Sequence, residues 1–172
     1  LVWFLLAGLK GGVTPAVISS TYTYAFATPT YTACSLATDG SLATHDSQFD
    51  AAKKELVVAS ATPFRGIKLT MGTGNATALT ASVCVLSAAG AWLAATLLKD
   101  GTLDAATSTK TFNATGIIEF EPHSTWAAAT LNSVTGKYWA IVNPSATMSA
   151  TVEPQEIELV PSPPSWVFTE PL

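Results

Sequence analysis

From Val17 to Ala27 the chain alternates Tyr22, Tyr24 and Phe26 with Thr21, Thr23 and Ala25, the period of two that a half-buried strand presents. Further strand-like runs follow at Tyr31–Leu36, Leu56–Ala59, Ile67–Met71, Leu79–Leu86, Trp92–Leu98, Thr109–Phe112, Ile117–Glu121, Tyr138–Val142 and Thr147–Val160. Gly, Pro and Asn breaks separate them, and helical periodicity is scarce. In Ile117–Glu121, Ile118 and Phe120 fall on one face while Glu119 and Glu121 fall on the other, which is the one-sided burial of an antiparallel sheet. Asp39-Gly40 and Asp100-Gly101 read as two similar hairpin turns. Residues 37–55 are the most polar stretch and predict a loop or one short helix. Nine or ten short strands predict an all-β chain: an antiparallel β-sandwich of jelly-roll type over residues 17–160. Extended arms are expected at 1–16 and 161–172.

The two arms are apolar in different ways. Leu1–Leu9 is uncharged and stops at Lys10-Gly11-Gly12, well short of the roughly 20 residues that span a bilayer, so no membrane partner is expected. Without an initiating Met or a basic leader, the stretch fits a chain that begins after processing or inside a longer polypeptide. It reads as a first strand or arm packed on the domain or on a neighbour. Pro161-Ser162-Pro163-Pro164-Ser165 reads as a stiff strap. Trp166-Val167-Phe168 then forms an apolar hook that gains by docking. Trp3, Phe4, Leu5, Trp166, Val167 and Phe168 are the interface candidates.

Composition sharpens this picture. Of 172 residues only 12% are charged and 48% are apolar; Lys and Arg number 8 against 12 Asp and Glu, for a net charge of −4. Arg65 is the one arginine, too little clustered positive charge for direct nucleic-acid binding. Charge this sparse is about half that of an average soluble domain. It points to a chain that lives in a larger assembly, as a homo-oligomer or among other subunits. Cys34 and Cys84 lie 50 residues apart without metal-ligand spacing, and buried free thiols are expected, with a disulfide between them or a reactive thiol as the alternatives.

Candidate chemistry is thin. His45 and His123 are the only histidines, no G-x-S-x-G elbow surrounds a serine, and Glu119 and Glu121 read as a solvated strand face. Asp39, Asp46 and Asp50 lack a calcium-loop pattern. Asn75-Ala76-Thr77 and Asn113-Ala114-Thr115 match the glycosylation acceptor, a tripeptide common by chance in a Thr-rich chain. Trp92, Trp126, Tyr138 and Trp139 suit either a sugar-stacking platform, with Trp126 its candidate, or core and interface anchors. No catalytic residue, metal or cofactor is assigned, and no enzymatic activity is expected.

The order of short motifs from Leu56 to Val160 resembles a β-sandwich module of tailed-bacteriophage virion proteins. The motifs are Pro63-Phe64-Arg65-Gly66-Ile67, Gly72-Thr73-Gly74-Asn75-Ala76, Gly90-Ala91-Trp92 with Asp100-Gly101-Thr102, Gly116-Ile117-Ile118-Glu119-Phe120 with Pro122 and Trp126, Gly136-Lys137-Tyr138-Trp139, and Ser149-Ala150-Thr151-Val152. Cys84 stands where the module usually has an aromatic residue, and Ala140 where an arginine is common. The resemblance implies a virion location and a non-enzymatic decoration or minor structural role beside major capsid or tail proteins. The alternative it implies is a tail or fibre module that binds a host carbohydrate receptor. Read physically, Trp92 and Trp139 are expected to fill the space between the sheets, and Pro122 to end an edge strand.

Overall fold

The computed structural model describes residues 55–149 and 152–162 in full, together with the backbone of Ile18–Ala25 and Thr30–Ala33. Eleven strands are described: β1 (Ile18–Ala25), β2 (Thr30–Ala33), β3 (Glu55–Ser60), β4 (Phe64–Thr73), β5 (Ala81–Leu86), β6 (Trp92–Ala94), β7 (Thr96–Asp100), β8 (Gly116–Glu121), β9 (Ala129–Leu131), β10 (Val134–Pro144) and β11 (Glu153–Pro161). They form two antiparallel sheets, ordered β2-β1-β3-β10-β5-β6 with β9 beside β10, and β11-β4-β8-β7. The sheets pack as the expected all-β sandwich. Its core takes Leu56 and Val58 from β3, Val83 and Val85 from β5, and Ala140 and Val142 from β10. Against these lie Phe64, Ile67, Leu69, Ile118, Phe120, Ile157 and Leu159 from the smaller sheet. The alternation read in Ile117–Glu121 is present: Ile118 and Phe120 are buried, Glu119 is half-buried and Glu121 is exposed.

β3 and β10 are buried on both faces. Val57 and Ala59 alternate with the core residues of β3 and join Trp139, Ile141, Leu86 and Ala129 in a second apolar cluster. Trp139 therefore packs on the outer face of the large sheet, and half-buried Trp92 packs against the same cluster. The expectation that these two indoles fill the space between the sheets is corrected by register. Ala140 and Val142 take the inward positions of β10, so Trp139 and Ile141 must face outward.

Several boundaries also differ from expectation. Trp92–Leu98 is two strands that part at Ala95, whose N–H donates to the Val83 carbonyl; the chain there crosses from the large sheet to the small one. Thr109–Phe112 is a turn region, because side chains claim its backbone donors: Asp104 accepts from the N–H groups of Thr109 and Lys110, and Thr102 Oγ1 accepts from Phe112 N–H. Asp100-Gly101 opens a broad loop between β7 and β8 rather than a tight hairpin. Glu55, expected in the polar loop, is the buried first residue of β3. The last strand starts only at Glu153, and β9 was not foreseen. Pro122 follows β8, a strand paired on both sides by β4 and β7, so it ends an interior strand. The arms at 1–16 and 163–172, Cys34, Asp39-Gly40, His45, Asp46 and Asp50 lie outside the described residues.

Among the described residues β11 is an edge strand, and its sequence guards that edge. Pro154 and Pro161 lack donors, three register shifts interrupt its pairing with β4, and Glu153, Glu156 and Glu158 line it. Prolines, irregular register and charge all discourage another strand from adding there. Lys68 of β4 pairs with Glu158 across the sheet's outer face.

Candidate functional site

The two ends of the sandwich are built differently. At one end the loops 74–80, 101–115 and 145–149 are locked by Asn75, which is fully buried. Its Nδ2 donates to the carbonyls of Thr77 (2.8 Å) and Thr111 (3.0 Å). Its Oδ1 accepts from Thr77 N (3.0 Å), Ser149 N (3.1 Å) and Ser149 Oγ (3.2 Å). The backbone joins in: Asn75 N donates to Phe112 O, and Asn113 Nδ2 donates to Asn75 O. One side chain thus ties three loops together with every amide atom occupied. The close approach demands glycine at Gly74, where a Cβ would lie 2.0 Å from the Asn113 carbonyl oxygen.

The loop 101–115 carries its own acid-and-hydroxyl lock. Asp100 accepts from Thr102 N and Oγ1 through one oxygen and from Thr111 Oγ1 through the other. Asp104 accepts from Thr107 N and Oγ1 and from the N–H groups of Thr109 and Lys110. Phe112 is held at φ 60° while fully buried, a strained conformation for a bulky residue that costs about 1–3 kcal/mol. Its N–H bond to Thr102 Oγ1 and its carbonyl bond from Asn75 N keep it there.

The Thr107 hydroxyl, followed by the backbone N–H groups of Thr109, Thr107 and Lys110, holds the Asp104 carboxyl well below the usual carboxylate range, against the opposing effect of burial. A folded pKa below the unfolded value of about 3.9 stabilises the fold above that pH and stops doing so as acid protonates the native state. Asp104→Asn is therefore expected to lower the melting temperature at pH 7. The gap from the parent should narrow in melts taken below about pH 4. An unchanged gap across that range would mean that the carboxylate charge is not what locks the loop.

At the opposite end an aromatic cluster closes the core. Trp126 stands edge-on to Phe64 (5.1 Å between ring centres), Phe120 (6.2 Å) and Tyr138 (5.4 Å). Its Nε1 donates to Trp139 O at 2.9 Å. The ring is half-buried and packs against the main core. Tyr138 belongs to the same cluster, whereas Trp139 lies across the sheet with its Nε1 donating to Ala129 O.

The remaining candidates are dispersed. Glu119 sits opposite Gly66 and Glu121 opposite Thr96. His123 Nδ1 accepts from Thr125 N–H in an exposed turn. Cys84 is a half-buried free thiol, its pKa pushed up by burial despite the Asn143 amide donating to the sulfur. Both glycosylation-type asparagines are engaged by folding, since each spends its Nδ2 on a backbone carbonyl. Among the described residues no group of three or more His, Cys, Asp or Glu converges as a metal site, and no helix is long and apolar enough to cross a membrane. The interface candidates Trp3, Phe4, Leu5, Trp166, Val167 and Phe168 lie outside the described residues. Sequence reasoning missed Asn75 as a structural centre; the flanking Gly74 and the Ser/Thr-rich loops around it were the available signal. Comparison with family models, curated proteins and solved structures finds no match to this chain.

Proposed function

We propose that this chain is a non-enzymatic structural component of a tailed-bacteriophage virion, a decoration or minor capsid protein whose sandwich docks on neighbouring major capsid or tail subunits. One observation carries the reading: the residues through which the sequence resembles phage virion modules occupy the junctions of the sandwich. Phe64 and Trp126 belong to the aromatic closure, and Asn75 is the three-loop tie. Asp100 and Thr102 form the loop lock, and Trp139 anchors the second cluster. The resemblance thus falls on residues that hold the sandwich together. Sparse charge and the guarded β11 edge suit a body that sits against other proteins without adding a strand to them there. Apolar flanking segments supply the adhesive surface, and many copies on one particle let modest contacts add up.

The test is incorporation. Particles produced with the full chain are expected to retain it through gradient purification, and particles produced with Trp166–Leu172 deleted are expected to lose most of it. Equal retention of both forms would show that the hook plays no part in docking.

A further inference from the structure

The loop 101–115 is held at two depths by different chemistry. At its base, Asn75 Nδ2 donates to Thr111 O and Asn75 N to Phe112 O, while Asn113 N and Ala114 N donate to Thr102 O. These are amide groups, which neither gain nor lose a proton in the ordinary pH range. At its tip the chain closes round a single carboxylate. Asp104 is 5% exposed. Its Oδ2 accepts from Thr107 N (2.9 Å) and Thr107 Oγ1 (2.7 Å), and its Oδ1 accepts from Thr109 N (2.9 Å) and Lys110 N (3.0 Å). Ser108 N donates to Asp104 O, and Ser108 itself is held at φ 53°. Residues 105–109 are all exposed. Among the described residues, the hydrogen bonds of residues 105–108 all close within residues 104–110; bonds to the body resume at Thr109, whose carbonyl accepts from Leu79 N.

Four donors converging on two oxygens suit a carboxylate and do not suit a carboxylic acid. A protonated oxygen turns a donor of its own toward the N–H groups it faces. The Thr107 hydroxyl, followed by the backbone N–H groups, accordingly holds the Asp104 carboxyl well below its usual range against the effect of burial. The pinned and released tips therefore differ in how readily they bind a proton. Few other charges surround this end. Loops 74–80 and 145–149 carry no titratable side chain. Asp100, at the end of β7, is engaged by Thr102 and Thr111 rather than by the tip. Lys99 is exposed opposite Glu119 of β8, and Lys110 is half-buried within the loop.

We propose that Asp104 is an acid-released pin: its protonation frees the exposed tip at residues 105–109, while Asn75 keeps the base of the loop and the sandwich behind it in place. Release also relieves the backbone strain at Ser108. The outermost surface of the Asn75 end is thus fixed at neutral pH and loosened in acid by one carboxyl group, independently of the virion reading.

Amide hydrogen exchange of the full chain, read residue by residue and corrected for the intrinsic pH dependence of exchange, tests the pin. Protection at Thr107, Thr109 and Lys110 is expected to fall by up to about tenfold per pH unit below about pH 4. Protection at Asn75, Phe112 and Asn113 is expected to hold over the same range. In Asp104→Asn the three tip amides should already have lost about tenfold or more of their protection at pH 7, with no further fall in acid. A parallel fall at both sets of amides would mean that acid unfolds the whole domain, and would overturn the local pin. Unchanged protection at Thr107, Thr109 and Lys110 in the parent chain would overturn it equally, and the parent pH series decides the matter even if the asparagine form does not fold.

Discussion

Trp139→Ala is expected to destabilise the sandwich by about 4 kcal/mol, the range for deleting a large aromatic side chain from a close-packed site. Trp139 is fully buried and packs with Val57, Ala59, Leu86, Ala129 and Ile141. Its Nε1–H is also the donor that reaches over to Ala129 O in β9. The substitution thus opens a cavity and unties the short β9 strand, whose pairing with β10 is already irregular. For a chain of this size the melting temperature should fall by roughly 8–16 °C. Trp139→Phe keeps most of the apolar volume but leaves the carbonyl unpaired, so it should cost about 1–3 kcal/mol. Thermal and urea melts of the three forms check both values. If the alanine form lost less than the phenylalanine form, Trp139 would not be the anchor of the second cluster.

The second large effect is expected at Asn75. Asn75→Ala removes two donated and three accepted hydrogen bonds, leaves the buried Thr111 carbonyl facing a methyl group and frees the partly buried backbone groups of Thr77 and Ser149. The expected loss is about 3–4 kcal/mol, from several partners left unsatisfied at once. Asn75→Asp is more discriminating. It preserves every bond that Oδ1 accepts but turns the donor toward Thr77 O and Thr111 O into a second acceptor. That variant should be at least as unstable as the alanine form at neutral pH. It should recover in mild acid, where protonation restores a donor. Hydrogen exchange should localise the damage to the amides of Asn75, Thr77, Phe112 and Ser149. An aspartate form as stable as the parent at pH 7 would contradict the assignment of the amide nitrogen to the two carbonyls.

How much of this was legible in the sequence follows from what period-two alternation can encode. Ile118 and Phe120 against Glu119 and Glu121 announced both a strand and its buried side, because one face meets core and the other water. β3 and β10 lack that contrast. Leu56, Val57, Val58 and Ala59 are buried on both faces, so alternation located the strand without saying that Trp139 points away from the main core. Ala95 shows a second limit. A strand that changes sheets keeps its hydrophobic pattern, and only tertiary pairing reveals the corner. The Thr109–Phe112 error has a third cause, since β-branched residues favour strands until an aspartate five or six residues back captures their N–H groups, as Asp104 does. The Asn75 tie was hidden for the same reason: its partners Thr111 and Ser149 are 36 and 74 residues away. Trp126 was legible as an aromatic anchor or platform, and its three ring neighbours, Phe64, Phe120 and Tyr138, could not be read from the sequence.

The proposed role is that of a structural component of a virion. A cryo-electron-microscopy map of particles purified from cells that produce the chain tests it most directly. The proposal predicts sandwich-shaped density on the head or tail, against a neighbouring subunit. Particles without such density would contradict it.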